Sequence, residues 1–131
     1  MKYLSDYTQD AISKVMDDNG GFFAFSDSQF DEKKKEGVKY VSLYGGLIAP
    51  KENAKTIYEE IKRATLRGIK QDVKENGIKA IIWRELANFE SQISGTCEDT
   101  VNALSDYPTT EGEIVKEFKL YMTHCIDNDL F

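Results

Sequence analysis

Residues 20–30 read GGFFAFSDSQF: a glycine pair, phenylalanine at 22, 23 and 25, then an abrupt run of Ser26, Asp27, Ser28 and Gln29. Successive side chains of a strand point to opposite faces. A strand here places Phe23 and Phe25 on one face and Phe22 with Ala24 on the other, so both faces are apolar. Two readings follow. Either the segment is a core strand buried on both sides, or it holds flat rings ready for a group that stacks. The expected division puts Phe23 and Phe25 in the core, fastening a sheet to helices, and leaves Phe22 open to a ligand or partner chain.

Upstream of this segment, Leu4, Tyr7, Ala11, Ile12, Val15 and Met16 recur at helical spacing. Ser5 or Asp6 caps that helix, and Asn19-Gly20-Gly21 stops it. Downstream, a short helical turn is expected from Asp27 to about Lys35. VKYVSLYGGLIAP, residues 38–50, reads as two strands around a turn or bulge at Gly45-Gly46. Pro50 suits the first turn of a long helix closed by Asn76-Gly77. IKAIIWRELANFESQISG, residues 78–95, reads as another helix, although KAIIW alone also fits a strand. Thr96 caps a short helix through Leu104, and Tyr107-Pro108 ends it. Thr110 and Glu113 form a capping box. The last helix carries Ile114, Phe118, Tyr121, Met122 and Cys125 on one side. The class expected is α+β: a small antiparallel sheet from the N-terminal half packed with several helices, and long helices in the C-terminal half.

A chain of 131 residues, 40% hydrophobic and 31% charged, fits one globular domain spanning residues 1–131. No apolar run approaches the roughly 18–20 residues that cross a bilayer, so no membrane partner is expected. The opening MKYLSDYTQD lacks the apolar core of a secretory leader, which places the protein in the cytoplasm. Cys97 and Cys125 are widely spaced and fit reduced thiols there. A net charge of −6 argues against duplex nucleic acid, whose affinity rests on phosphate neutralisation. The lysine run DEKKKEGVK, residues 31–39, is fenced by acids and reads as a solvated helix end. A small anionic ligand needs only two or three basic groups and stays compatible with this balance.

WRELANFE, residues 83–90, is the most informative helical stretch. Ile82, Trp83, Leu86, Ala87, Phe89 and Ile93 fall within an arc roughly 160° wide, with Glu90 near its middle. A carboxylate there needs a partner. It is either a structural link, or a contact to a ligand or a symmetry-related chain. Arg84 and Asn88 lie four apart, as a phosphate fork and a base or ribose partner, or as an ordinary exposed face. On the last helix Lys116 and Lys119 form a small basic edge beside Tyr121, with Glu113 and Glu117 close by. The candidate ligand-binding set is therefore Phe22, Arg84, Asn88, Phe89, Glu90, Lys116, Lys119 and Tyr121. His124 is the single histidine, and with Cys125, Asp127 and Asp129 it matches no standard metal motif. No catalytic residue, metal or cofactor is assigned, and the protein is read as a non-enzyme. A small hydrolase using Glu85, Glu90 and a C-terminal acid with a metal is the enzymatic alternative.

GGFFAFSDSQFDEKKKEGVKYVSLYGGLIAPKENA, followed after a helix by WRELANFESQIS and a capped C-terminal helix, resembles the first-type Thoeris anti-defence family of small bacteriophage proteins. The opening follows that family's G-x-F-F-A-F-S-x-x-Q-F pattern. The resemblance implies a non-enzymatic protein that sequesters a cyclic ADP-ribose-type signal and starves a downstream effector. It also implies a homodimer or larger ring, with cyclic oligonucleotides as further ligands. The family's Asn-His-Glu-like signature matches at Asn88 and Glu90, whereas Phe89 stands at its histidine. Where basic residues of the last helix are implied to face phosphate, this chain offers Lys116 and Lys119. The competing expectation is a small acidic inhibitor acting by direct protein–protein contact, marked by a large exposed apolar patch.

Overall fold

Asp6 starts the first helix by accepting a hydrogen bond from the Tyr3 N–H at 2.8 Å, and α1 runs over Leu4–Asn19. It stops at Gly20, whose φ of 72° lies in the left-handed region that glycine enters without steric cost. The computed structural model describes residues 1–131. The chain divides into two units, Lys2–Gly68 and Ile69–Phe131 together with Met1. The class is α+β, as the periodicities require.

In the Lys2–Gly68 unit, α1 is followed by β1 (Phe22–Phe23), α2 (Asp27–Lys33), β2 (Tyr40–Ser42) and β3 (Leu47–Pro50). A 3-10 turn, Lys51–Asn53, then leads into α3 (Ala54–Asn76). Pro50 thus ends a strand instead of opening the helix. The sheet order is β1-β3-β2, antiparallel throughout. Phe23 stands opposite Leu47 and Val41 opposite Ala49, while Phe22 stands opposite Ile48 and Tyr40 opposite Pro50. Residues directly opposed share a face. Leu47 and Ala49 therefore face inward, forming a core with Met16, Ile57 and Ile61. Phe22, Tyr40 and Ile48 face the other way. There Phe30 of α2 packs against Phe22 at 6.1 Å and edge-on to Tyr40 at 5.7 Å.

This corrects the expected use of the three phenylalanines. Phe23 is 41% exposed and Phe25 74% exposed, whereas Phe22 is half-buried. The cause is the length of β1. Ser26 accepts a hydrogen bond from the Gln29 N–H and turns the chain into α2 immediately, so the strand ends at Phe23. β1 is also an edge strand, and Phe23 has a strand neighbour on one side only. Phe25, beyond the strand, lies against Gly46, where an added Cβ would come within 2.5 Å of its ring. It stands parallel to Phe23 at 6.3 Å. The outer edge of β1 is closed by α2: Lys33 Nζ donates to the Phe23 carbonyl and the Phe25 N–H donates to Gln29 Oε1, both at 2.7 Å. Closing edge groups in this way removes a template for strand addition.

The Ile69–Phe131 unit contains the end of α3, then α4 (Ile78–Asn88), α5 (Ser91–Ser94), α6 (Glu98–Ala103) and α7 (Glu111–Asp127). Its buried apolar groups are Ile69, Ile81, Ile82, Leu86, Leu104, Tyr107, Ile114, Tyr121 and Cys125. Thr110 caps α7 by accepting from the Glu113 N–H at 3.2 Å. The single helix expected over residues 78–95 is broken. Glu90 adopts φ 50° and ψ 45°, a left-handed conformation between α4 and α5. The turn carries the chain so that Ser91 is buried, and it takes Glu90 and Ile93 out of the apolar arc into solvent.

α1 and α3 approach closely at Thr8 and Gly68, where a Cβ on Gly68 would fall 2.4 Å from Thr8 Cγ2. Gly68→Ala gains up to about 1 kcal/mol of helix propensity. Overpacking costs about 1–3 kcal/mol and outweighs it. A net loss is expected in urea denaturation, and Thr8→Ser, which removes Cγ2, restores most of it. A stabilised Gly68→Ala variant would contradict the close approach.

Candidate functional site

The outward face of the sheet and the last turn of α1 bound a groove of about 620 Å³, lined by Asp17, Asp18, Phe22, Lys33, Lys35, Tyr40 and Glu52 among others. A neighbouring hollow of about 540 Å³ shares Val38, Pro50 and Glu52 with it and adds Lys39 and Lys51. The walls are pinned by polar contacts. Asn53 Nδ2 donates to the Asn19 carbonyl at 3.1 Å, and Asn19 Nδ2 donates to the Val15 carbonyl at 2.8 Å. The Lys35 N–H donates to Tyr40 Oη at 3.0 Å. These bonds tie the end of α1, the 3-10 turn and the α2–β2 connection to the sheet.

The groove and the hollow beside it together collect three kinds of chemistry. Phe22 and Tyr40 supply rings 5.4 Å apart and steeply inclined. Lys35, Lys39 and Lys51 supply ammonium groups outside every ion pair of the structure, whereas Lys33 is tied to the Phe23 carbonyl. Asp17 and Glu52 supply carboxylates, and Asp18 is held by Lys14 at 2.9 Å. An aromatic wall with a few convergent charges, in a volume between ~300 and 1,000 Å³, is the usual composition of a small-molecule site.

Of the residues singled out in the sequence, only Phe22 lines this groove. Arg84 is buried, and its fork is filled by the protein. Nη1 and Nη2 reach the two oxygens of Asp72 at 2.9 and 3.1 Å, and Nε reaches Glu85 at 2.8 Å. Asp72 is fully buried and also accepts from Asn76 at 2.8 Å and Tyr107 at 2.5 Å. Burial favours the neutral acid at Asp72. The hydrogen bonds from Arg84, Tyr107 and Asn76 outweigh it and hold the carboxyl below its ordinary value. Burial and then the Asp72 contact push the Tyr107 phenol well above its ordinary value. For Arg84, burial disfavours the cation, but Asp72 and Glu85 raise its pKa further. The shared ligand face expected of Arg84 and Asn88 is therefore absent, because Arg84 faces inward while Asn88 is exposed.

Asn88, Phe89 and Glu90 come together as exposed residues at the α4–α5 junction. Lys116 borders a hollow of about 160 Å³ with Lys79, Glu113 and Glu117, and Lys119 is exposed on α7. Tyr121 is buried, donates to Gln92 Oε1 at 3.1 Å and stands edge-on to Trp83 at 5.3 Å. Burial, followed by the Cys125 contact, pushes its phenol up to about 12. Sequence reasoning missed Lys35, Tyr40, Lys51 and Glu52, since a lysine run fenced by acids looks solvated. It also passed over Asp72, although an aspartate beside Ile69 and Val73 on an apolar stripe is a visible signal.

Over residues 4–124 the chain matches a family described as a family of unknown function (DUF7659). No curated protein and no solved structure matches it.

Asp72→Ala leaves the Arg84 cation buried without its main partner, and a loss of about 3–5 kcal/mol is expected in urea denaturation. Because the folded pKa of Asp72 is lowered, its contribution is complete above the ordinary carboxylate value of ~3.9 and disappears as pH falls through the lowered one. The stability gap between wild type and variant should hold from neutral pH to about 5 and narrow below ~3.9. A gap that is absent at neutral pH would refute the ion-pair account.

Proposed function

We propose that this chain, which belongs to the DUF7659 family, is a non-enzymatic phage anti-defence protein that sequesters a cyclic ADP-ribose-type nucleotide in the groove walled by Phe22 and Tyr40. By withholding that signal in the host cytoplasm it keeps an effector inactive. The observation that carries this reading is the gathering of rings, unpaired lysines and carboxylates around a groove of nucleotide size and the hollow that adjoins it. A nucleobase has a flat π-face that packs on aromatic side chains. Its phosphates suit Lys35, Lys39 and Lys51, and its ribose hydroxyls suit the carboxylates of Asp17 and Glu52. The likeness of GGFFAFS and WRELANFE to the sponge proteins supports the choice of ligand. Homo-oligomerisation belongs to the same proposal, with Asn88 and Glu90 exposed for a second subunit or a ligand. Tight retention without turnover needs walls that are already in place, and on the α1 and 3-10 side the Asn19 and Asn53 hydrogen bonds supply that order.

A second reading, direct contact with a host defence protein, is favoured by one observation. Phe23 and Phe25 form a parallel ring pair that is largely open to solvent. Aromatic groups displayed in this way are frequent anchors of protein interfaces.

A thermal-shift titration with cyclic ADP-ribose isomers, followed by heat denaturation and mass analysis of the supernatant, separates the possibilities. A ligand that binds only the native state raises the melting temperature. The expected result is a large shift with the nucleotide recovered intact. Lys35→Ala with Lys51→Ala should weaken binding by about 10–100-fold, the range for one or two charge-assisted hydrogen bonds. Recovery of an altered nucleotide would make the protein an enzyme. No shift with any isomer would leave the protein-contact reading.

A further inference from the structure

From Ser26 to Lys39 every residue is exposed except Phe30, which is half-buried. α2 buries no residue at all. Its attachments to the rest of the unit are few and all near the surface. Phe30 packs against both Phe22 and Tyr40, which also touch each other. Gln29 and Lys33 hold the β1 edge at 2.7 Å each, and the Lys35 N–H meets Tyr40 Oη at 3.0 Å. Two joints flank the segment. Ser26 is an extended N-cap residue, and Gly37 has a φ of +77° with open space around it. A segment with so little buried apolar contact opens at a fraction of the cost of global unfolding.

The attachments also coincide with the groove. Phe22 and Tyr40, which hold Phe30, are its rings, and Lys33, Lys35 and Val38 on the segment form part of its wall. We infer that residues 26–38 are a flap over this groove, moving as a unit about Ser26 and Gly37 with Phe30 as the latch against the Phe22–Tyr40 pair. Opening withdraws the Phe30 ring and exposes faces of both groove aromatics. It also frees the Lys33 ammonium from the Phe23 carbonyl. Closing returns Lys33 to the Phe23 carbonyl and sets Lys35 beside whatever anion lies in the groove, so the flap governs entry and release. That it closes on a nucleotide rests on the function proposed above; that it opens does not.

Amide hydrogen exchange on the full chain, without ligand and then with cyclic ADP-ribose as the probe, tests this. Amides of residues 27–38 should exchange together, about 100-fold or more faster than those of β3 and of α3 up to Gly68, and with little dependence on low urea. Phe30→Ala and, separately, Lys33→Met should accelerate the flap further while leaving α3 unchanged. A flap that exchanges at the rate and urea dependence of α3, or one indifferent to both substitutions, overturns the inference. If the probe raises the melting temperature and slows flap exchange, gating stands. If the probe raises it but leaves the flap untouched, the gating role falls while the ligand remains. If the flap opens as described and the probe neither binds nor slows it, the flap stands and the nucleotide reading falls.

Discussion

Side chains alternate along a strand, and this sheet carries apolar groups on both of its faces. One face has an ample cover: Leu47 and Ala49 meet Met16, Ile57 and Ile61 from two helices. The other face, with Phe22, Tyr40 and Ile48, has only Phe30 and a helix of seven residues. An aromatic face that is incompletely covered leaves space, and the groove beside the end of α1 is that space. The brevity of β1 follows from the same local events, because the Ser26 cap diverts the chain into α2 as soon as Phe23 is paired. The edge closure by Gln29 and Lys33, the exposure of Phe25 and the accessibility of Phe22 all trace to that turn.

The Ile69–Phe131 unit is organised differently. Its centre holds a charged network in which Asp72 and Arg84 bond in two parallel contacts, with Glu85, Asn76 and Tyr107 completing the geometry. Such a pair contributes modest net stability compared with a packed apolar core, yet removing either partner strands a charge in a dry place. That asymmetry makes the network a specifier of how α3, α4 and the α6–α7 connection pack. It also explains why Arg84 is turned inward and held by Asp72 and Glu85. On this unit the α4–α5 turn leaves Phe89 and Glu90 exposed, beside Asn88 at the end of α4.

Much of the fold was legible because it depends on local rules. α1 ends at Gly20, α3 ends at Asn76, α7 starts after Thr110, and a turn at Gly45-Gly46 separates β2 from β3, all read from caps, glycines and periodicity. What failed did so for identifiable reasons. Helical spacing across residues 78–95 hides a break, since nothing in Phe89 or Glu90 announces a left-handed residue. Burial of Phe23 and Phe25 was inferred from their type, whereas burial depends on how many neighbours a strand position has. An edge strand of two residues offers few.

By itself the amino-acid sequence determined the class, an antiparallel sheet early and helices after it, together with a net charge of −6. Those properties are sums or short-range patterns, and they survive without knowledge of contacts. Only the tertiary structure decided which ring is sheltered, which arginine is occupied and which lysines share a groove. Lys35, Tyr40 and Glu52 line one groove with Asp17 across distances in the chain that no spacing rule covers. The physical reason is that a site is made of side-chain directions, and these are set by strand register, by helix phase and by where each element stops.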